Sequence, residues 1–359
     1  MKRITFCALL MTLFLLLGCG SGQQSVDAAN GGGAATGGSS LSAVLMNVGR
    51  SAENAFYSFL ELLSDTLGFT AKSTTKKEDV GDYFNSLGAK LGKASAELEQ
   101  VAKKSETELD KGDLSKAIRS AVDAAKATLS TLKTHLDSLG TIGDDNVVGD
   151  AATNTQGTTP ADVELKKALK ALQEIVKSAK EKGVKEPEAG DTAVKVGANG
   201  TDNKDGAKIL ATDSAAAATD AGKAAAILAT VSGNEMLASI VNSTEGDVKV
   251  VAAAATENTT PLEFAKGGNG ANLAKDTAKA AAVAGGIALR SLVKDGKLAS
   301  GAADGQGGGK EEVQKVGVSA VNKLLVAVED IIKKTVKNVL EKTKQKIDQA
   351  RAPKSTAQQ

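Results

Sequence analysis

The strongest constraint on the fold of this 359-residue chain lies near its C-terminus. From Glu311 to Ala350, Val313, Val316, Val321, Leu324, Leu325, Val328, Ile331, Ile332, Thr335, Val339, Leu340 and Ile347 recur mainly at steps of three and four, with charged residues between them. A helix gathers such positions into one stripe. Glu311 and Glu312 sit at the positive end of its dipole, and Lys342, Lys344, Lys346 and Arg351 near the negative end. At ~1.5 Å per residue the helix is about 60 Å long. A stripe of that length needs partners along it, which commits the chain to helix-on-helix packing.

The same spacing recurs upstream. Val44, Leu45, Val48, Phe56, Phe59, Leu60, Leu63 and Leu67 predict a helix over Leu41–Gly68; Val80, Tyr83, Phe84, Leu87, Leu91, Leu98 and Val101 predict one from Asp79 to Ser105. A third starts with Asp113 as N-cap and ends at Leu139 before Gly140, and a fourth covers Asp162 to Lys182. Ala-rich segments at 206–231, 234–242 and 271–294 read as helices with soft boundaries. The first two helices are the expected partners of the last. The polar stretches Thr141–Ala161, Gly183–Asp205, Thr244–Pro261 and Asp295–Lys310 read as long surface loops. Of the aromatics downstream of residue 18 only Phe264 lies beyond Phe84, so the centre looks short of large anchors. The expected fold is mainly all-α: an elongated helical bundle with its N- and C-terminal helices packed together, long loops, and room for a few short strands.

The N-terminus sets the compartment. Lys2 and Arg3 precede an almost unbroken apolar run from Ile4 to Leu17, too short for a bilayer that needs about 20 residues but suited to a signal peptide. Leu16-Leu17-Gly18-Cys19 resembles a bacterial lipobox, with a small residue at the cut and a thiol to receive diacylglycerol. The competing readings are an ordinary signal with an incidental Cys and an uncleaved anchor. Residues 1–18 are therefore read as a signal peptide cleaved between Gly18 and Cys19. Cys19 becomes the acylated first residue, and two or three chains (palmitate among them) hold where one is marginal. Gly20–Ser40, rich in Gly and Ser, is a tether of about 25 Å mean span. The domain reading is 1–18 signal, 19–40 lipidated Cys and tether, 41–351 one helical domain with a variable centre at about 141–310, and 352–359 a disordered tail. Loss of Lys2 and Arg3 turns a formal +1 into −1, and loss of Cys7 leaves no thiol beyond the lipidated one.

Chemistry is hard to find in this composition. Balanced charge, with 44 basic against 43 acidic residues, gives no electrostatic case for nucleic acid, and one His with two Cys gives none for zinc. Gly309-Lys310 has Asp304 and Glu311 where a phosphate loop needs Gly and a hydroxyl; Gly222-Lys223 fails through Ala217 and Ala224. Thr201–Thr212 lacks the terminal carboxylates of a calcium loop. His135 has no nucleophile pattern beside it. No enzyme, metal or cofactor is expected.

Particular stretches resemble one family. The signal from Lys2 to Gly22, Leu67-Gly68-Phe69-Thr70-Ala71-Lys72, and Lys76 through Gly88 are similar to the variable large proteins of relapsing-fever spirochaetes. The most specific stretch, Ile287-Ala288-Leu289-Arg290-Ser291-Leu292-Val293-Lys294-Asp295-Gly296-Lys297-Leu298-Ala299, is similar to a constant segment shared with the related surface lipoprotein of Lyme-disease spirochaetes. Here Ser291-Leu292-Val293 replaces a small-Met-Ala run, and Leu298 stands where Phe is usual. Ser319–Leu325 matches in style, so the resemblance covers nearly the whole chain.

The resemblance implies a helical lipoprotein anchored in the cell outer membrane through acylated Cys19 and facing outward. Its N- and C-terminal helices lie near the lipid, and its variable loops face host antibodies. The implied function is antigenic variation, in which switching among family members evades the antibody response. The constant segment is expected to be mostly buried, structural or an epitope, with Arg290, Lys294, Asp295 and Lys297 as ion-pair formers or loop contacts. A weak homodimer is allowed. The alternative function is an adhesin that binds host glycosaminoglycan through Lys clusters at 166–185 or 333–346.

Overall fold

Two long helices form a hairpin at the start of the described chain. The computed structural model describes residues 67–108, 113–194 and 202–351, together with Asn54. The segment expected to form a helix over Leu41–Gly68 falls almost wholly outside them, as do the signal, Cys19, the tether and the tail. Helix α1 spans Lys77–Glu108 and α2 spans Asp113–Leu139. The backbone N–H of Lys76 donates to Asp79 Oδ2, which closes the entry turn of α1 two residues ahead of the expected start. Asp113 lies in the first described turn of α2.

The hairpin is antiparallel and close. Gly81 near the start of α1 abuts Gly140 at the end of α2, where an added Cβ would meet the Gly140 carbonyl oxygen at 2.6 Å. Val80, Phe84, Leu87, Leu91, Leu98 and Val101 from α1 are buried, as are Ile118, Val122, Leu129, Leu132 and Leu136 from α2. At the other end Arg119 bridges Glu99 (3.0 Å) and Glu106 (2.6 Å).

The remaining helices are α3 Asp162–Glu181, α4 Asp220–Ala229, α5 Gly233–Val241, α6 Pro261–Lys266, α7 Gly270–Leu273, α8 Ala280–Leu292 and α9 Lys310–Arg351, with 3₁₀ turns at Lys204–Leu210 and Glu245–Asp247. Local chemistry explains several boundaries. Capping boxes open α5 (Ser232 with Glu235) and α6 (Thr260 with Glu263, Pro261 at the first position). Gly183, at φ +83°, ends the α3 segment while its N–H returns to the Lys180 carbonyl. Among the described residues there are isolated β-bridges but no sheet, so the fold is a mainly α-helical bundle.

Helix α8 explains why the centre looked featureless. Every one of its 13 residues is buried, and a helix enclosed on all sides has no polar face to mark its period. Gly286 lets α8 lie against α6, since a Cβ there would clash with Phe264 and the Ala265 backbone. Phe264 itself is fully buried, so the centre does have an aromatic anchor. The expected helix over 271–294 is accordingly shorter, and 206–231 resolves into a 3₁₀ turn, a stretch of bends and turns, and α4.

The last helix is as long as its stripe implies. Its 42 residues correspond to about 63 Å. Among the described helices α2, α8, α5 and α3 supply its main contacts; α1 reaches it chiefly through Tyr83. The Tyr83 hydroxyl donates to Glu329 Oε1, and the Gly68 N–H donates to Glu329 Oε2 at 3.1 Å. Asn322 exchanges two hydrogen bonds with the Ala71 backbone (2.8 and 3.0 Å), and Gln314 donates to the Ser73 carbonyl (2.8 Å). The entering chain therefore runs antiparallel to α9.

Two expected surface loops are stitched into the interior. Thr158 and Lys297 exchange backbone hydrogen bonds, Ala152 N–H donates to Leu298 O, and Leu298 N–H donates to Asp150 O. Ile142, Val148, Ala151, Leu298 and Ala299 are all buried. Short apolar residues in a polar stretch were enough to draw both segments inward. Gly317 marks a close crossing: a Cβ there would lie 2.6 Å from both Gly149 Cα and Ser291 Oγ. Gly317→Ala is expected to destabilise the fold by about 1–3 kcal/mol, despite the higher helix propensity of Ala, measured as a lower urea midpoint at unchanged m-value.

Candidate functional site

The constant segment forms a buried junction rather than a surface feature. Ile287, Ala288, Leu289, Arg290, Val293 and Gly296 are buried, whereas Lys294 and Asp295 are exposed and Lys297 lies between. Arg290 has zero exposure and no carboxylate partner among the described residues. Its Nε donates to the Ala265 carbonyl at 2.7 Å, Nη1 to Leu210 O at 3.0 Å and Nη2 weakly to Phe264 O at 3.5 Å. Those carbonyls end α6 and the Lys204–Leu210 turn, where orphan acceptors and the negative dipole end favour a cation. Burial pulls the guanidinium pKa down to about 9, which still leaves it charged at neutral pH. The close Gly267 (φ +72°) leaves the space that Arg290 fills.

Lys77 is the second buried cation. It is 1% exposed, and its ammonium donates to Val293 O (2.9 Å) and Gly296 O (2.7 Å), with Asp144 Oδ1 at 4.0 Å. Burial pushes its pKa down, opposed by the carboxylates of Asp144, Asp150 and Asp295. Around it the turn is closed by the Asp295 N–H, which donates to Asp144 Oδ2 (2.8 Å), and by the Thr158 hydroxyl, which donates to Asp295 O (2.6 Å). Asp295 adopts φ +67° there. Asp150, 4% exposed, sits between Lys297 (3.0 Å) and Lys310 (3.3 Å). Of the four charged residues singled out in the segment, Lys297 forms an ion pair and Arg290 a backbone contact. Lys294 and Asp295 shape the turn through their own backbone. Ser291 Oγ is buried with no hydrogen-bond partner among the described residues.

Other singled-out residues are dispersed. Cys19 and Gly18 lie outside the described residues, and so does Thr201. His135 is partly buried on α2, and burial lowers its pKa. Asp202 and Asp205 are held by Lys204, Lys208 and Lys223, which fill the place a cation would take; among the described residues no His, Cys, Asp and Glu group could hold a metal. The two Lys clusters meet where Asn338 and Lys342 donate to the Lys182 carbonyl. Carboxylates interleave them, in Lys177–Glu174, Lys180–Glu186, Lys334–Asp330 and Lys337–Glu341. Such a surface offers a sulfated chain little net attraction. Among the described residues no single helix is long and apolar enough to cross a membrane.

Exposure concentrates elsewhere. Lys185, Glu186, Glu188 and Asp191 crown one loop, and Lys249, Val250, Ala253, Ala254, Glu257 and Asn258 another. Two open depressions of about 870 and 750 Å³ flank α9, one including the exposed Val326. Sequence reasoning passed over Lys77, Asp144, Asp150 and Gln314. Lys76 and Lys77 are adjacent and chemically identical, yet only the second is enclosed, and no local signal separates them.

The comparisons with known proteins agree with this architecture. The family described as Borrelia lipoprotein matches residues 52–347. The chain is 64% identical to "Variable large protein 21" of Borrelia hermsii over 360 residues, covering 100% of this chain and 98% of that protein. It is 60% identical to "Variable large protein 25" of the same organism over 361 residues, covering 99% and 98%. Among solved structures it is similar to the Lyme disease variable surface antigen VlsE of Borrelia burgdorferi, with a TM-score of 0.67 and 26% identity over 86% of this chain and 98% of that one.

The buried ammonium makes a pH prediction. Burial holds the folded Lys77 pKa below its ordinary value of 10.5, so the folded state sheds its proton first and the cost of burying the charge is fully present below the folded pKa. That cost is relieved as pH rises from the folded pKa towards 10.5. Urea titrations are expected to show the native protein gaining stability relative to Lys77→Met across that alkaline window.

Proposed function

This chain belongs to the Borrelia surface lipoproteins of the variable large protein and VlsE family, and from that membership we propose how its parts serve antigenic variation. It is an outer-surface lipoprotein of a family used for immune evasion. It has no enzymatic role: what matters is which surface the host antibody meets. Cys19, freed by cleavage after Gly18, carries the acyl chains, and residues 20–40 tether the domain of residues 41–351 to the outer leaflet. Gly68, Ala71 and Ser73 run antiparallel to α9 past Glu329, Asn322 and Gln314. Loops from the variable centre, 141–310, then present their exposed residues to antibody. Any homodimer is weak and leaves those loops open.

One observation carries this reading: the constant segment is buried while the neighbouring loop 244–258 is mostly exposed. A fixed interior and a replaceable exterior let this chain and its relatives differ at more than a third of positions within one family. Sera raised against cells displaying a different family member are expected not to bind intact cells displaying this chain. Broad cross-reaction through the 141–310 loops would sink the proposal. For the anchor, Cys19→Ala should abolish palmitate labelling and leave protein that surface protease no longer removes from washed cells. Unchanged labelling would refute the assignment.

A further inference from the structure

Several helix-borne side chains anchor the loops through main-chain atoms. Arg290 bonds only to main-chain carbonyls, at the ends of α6 and the Lys204–Leu210 turn. Gln173 Nε2 donates to Val241 O (3.0 Å) and Ser243 O (2.9 Å), fixing the point where α5 passes into the loop at 244–260. Gln314 Nε2 donates to Val148 O (3.3 Å) as well as Ser73 O, and Lys323 Nζ to Leu228 O and Val231 O (2.6 Å each) at the end of α4. Four helix-borne donors thus hold the entry or exit of loop segments through atoms that every residue possesses.

We propose that these donors form a clamp blind to side-chain identity, by which the scaffold keeps its loops in place while their sequence is rewritten. Arg290 is its central positioning residue. A buried guanidinium ordinarily calls for a carboxylate, and a carboxylate would make an acidic residue obligatory in a segment that is free to change. Carbonyls impose no such demand. Between the clamped ends the loop at 244–260 is held by further main-chain contacts, with Val251 N–H donating to Gly267 O and Ala255 N–H to Asn272 O. Lys249, Val250, Ala253, Ala254, Glu257 and Asn258 all point outward and none has φ above zero. The side-chain link from this set, Lys249 to Glu263 at 3.5 Å, is exposed at its Lys end and contributes little.

The inference rests on reading these loops as the part that varies, but its test needs no antibody, so the two can fail separately. In the full chain, Lys249→Glu, Val250→Thr, Ala253→Lys, Ala254→Gln, Glu257→Lys and Asn258→Arg are introduced together, with and without Arg290→Met. The rewritten loop alone is expected to stay within about 2 °C of the native Tm, as surface changes do. Arg290→Met is expected to lower Tm by several degrees, equally in both backgrounds, and to raise amide exchange at least tenfold around Leu210 and Phe264–Gly268 in both. If Arg290→Met does not fold, Gln173→Leu completes the same cycle, with the exchange read at Val241–Lys249. A rewritten loop that costs as much as the clamp variant overturns the proposal. So does a clamp effect that depends on which loop sequence is present.

Discussion

A guanidinium enclosed by carbonyl oxygens is the interaction on which the central architecture turns. Arg290 gathers the ends of α6 and the Lys204–Leu210 turn onto α8. Lys77 does the same for the turn that follows α8. Each cation is affordable only because several polar atoms converge on it; an orphaned charge at that depth would cost several kcal/mol. Leu210 O, Ala265 O and Gly296 O take no other donor among the described residues, since helix ends and turns leave carbonyls unpaired. Cation and chain end therefore require each other.

Packing around α8 follows from the same constraint. Its Gly and Ala residues bring neighbouring backbones close enough for long side chains to reach across. Larger residues would hold α6 and α9 apart and leave Arg290 short of its partners. This interior consumes the residues that carry the family resemblance at 287–299, leaving the exposed loops free of structural duty. For a surface antigen that division is useful: replacing exposed residues costs the fold little, while the segment at 287–299 is largely covered by the rest of the chain.

The legible and illegible parts of the fold differ in a physical way. Helices α1, α2, α3 and α9 could be read because one face meets water and the other meets protein, so burial writes a period of 3.6 into the residues. Helix α8 could not be delimited, because all its faces meet protein and the period disappears. The segments at 141–161 and 295–310 read as surface because Gly, Asn, Thr and Asp dominate them. Their few apolar residues, Ile142, Val148 and Leu298, nonetheless lie inside, paired backbone to backbone. Both Arg290 and Lys77 lie in stretches that carry the family resemblance, but only Arg290 belongs to the constant segment; a lysine next to a lysine, glutamate and aspartate resembles any solvated turn.

Sequence by itself determined the helical class, the span of the long last helix and the family, because each is carried by local spacing or by an uninterrupted run of residues. It also holds Leu16-Leu17-Gly18-Cys19, a run of adjacent residues that resembles a lipobox. Tertiary structure alone decided which charges are buried, which loops are drawn into the core, and that the loops are clamped through their carbonyls. Those depend on contacts such as Lys77 with Gly296 and Arg290 with Leu210, between residues far apart in the chain. Backbone acceptors carry no side-chain signature, so nothing in the order of residues announces where a carbonyl will meet its cation.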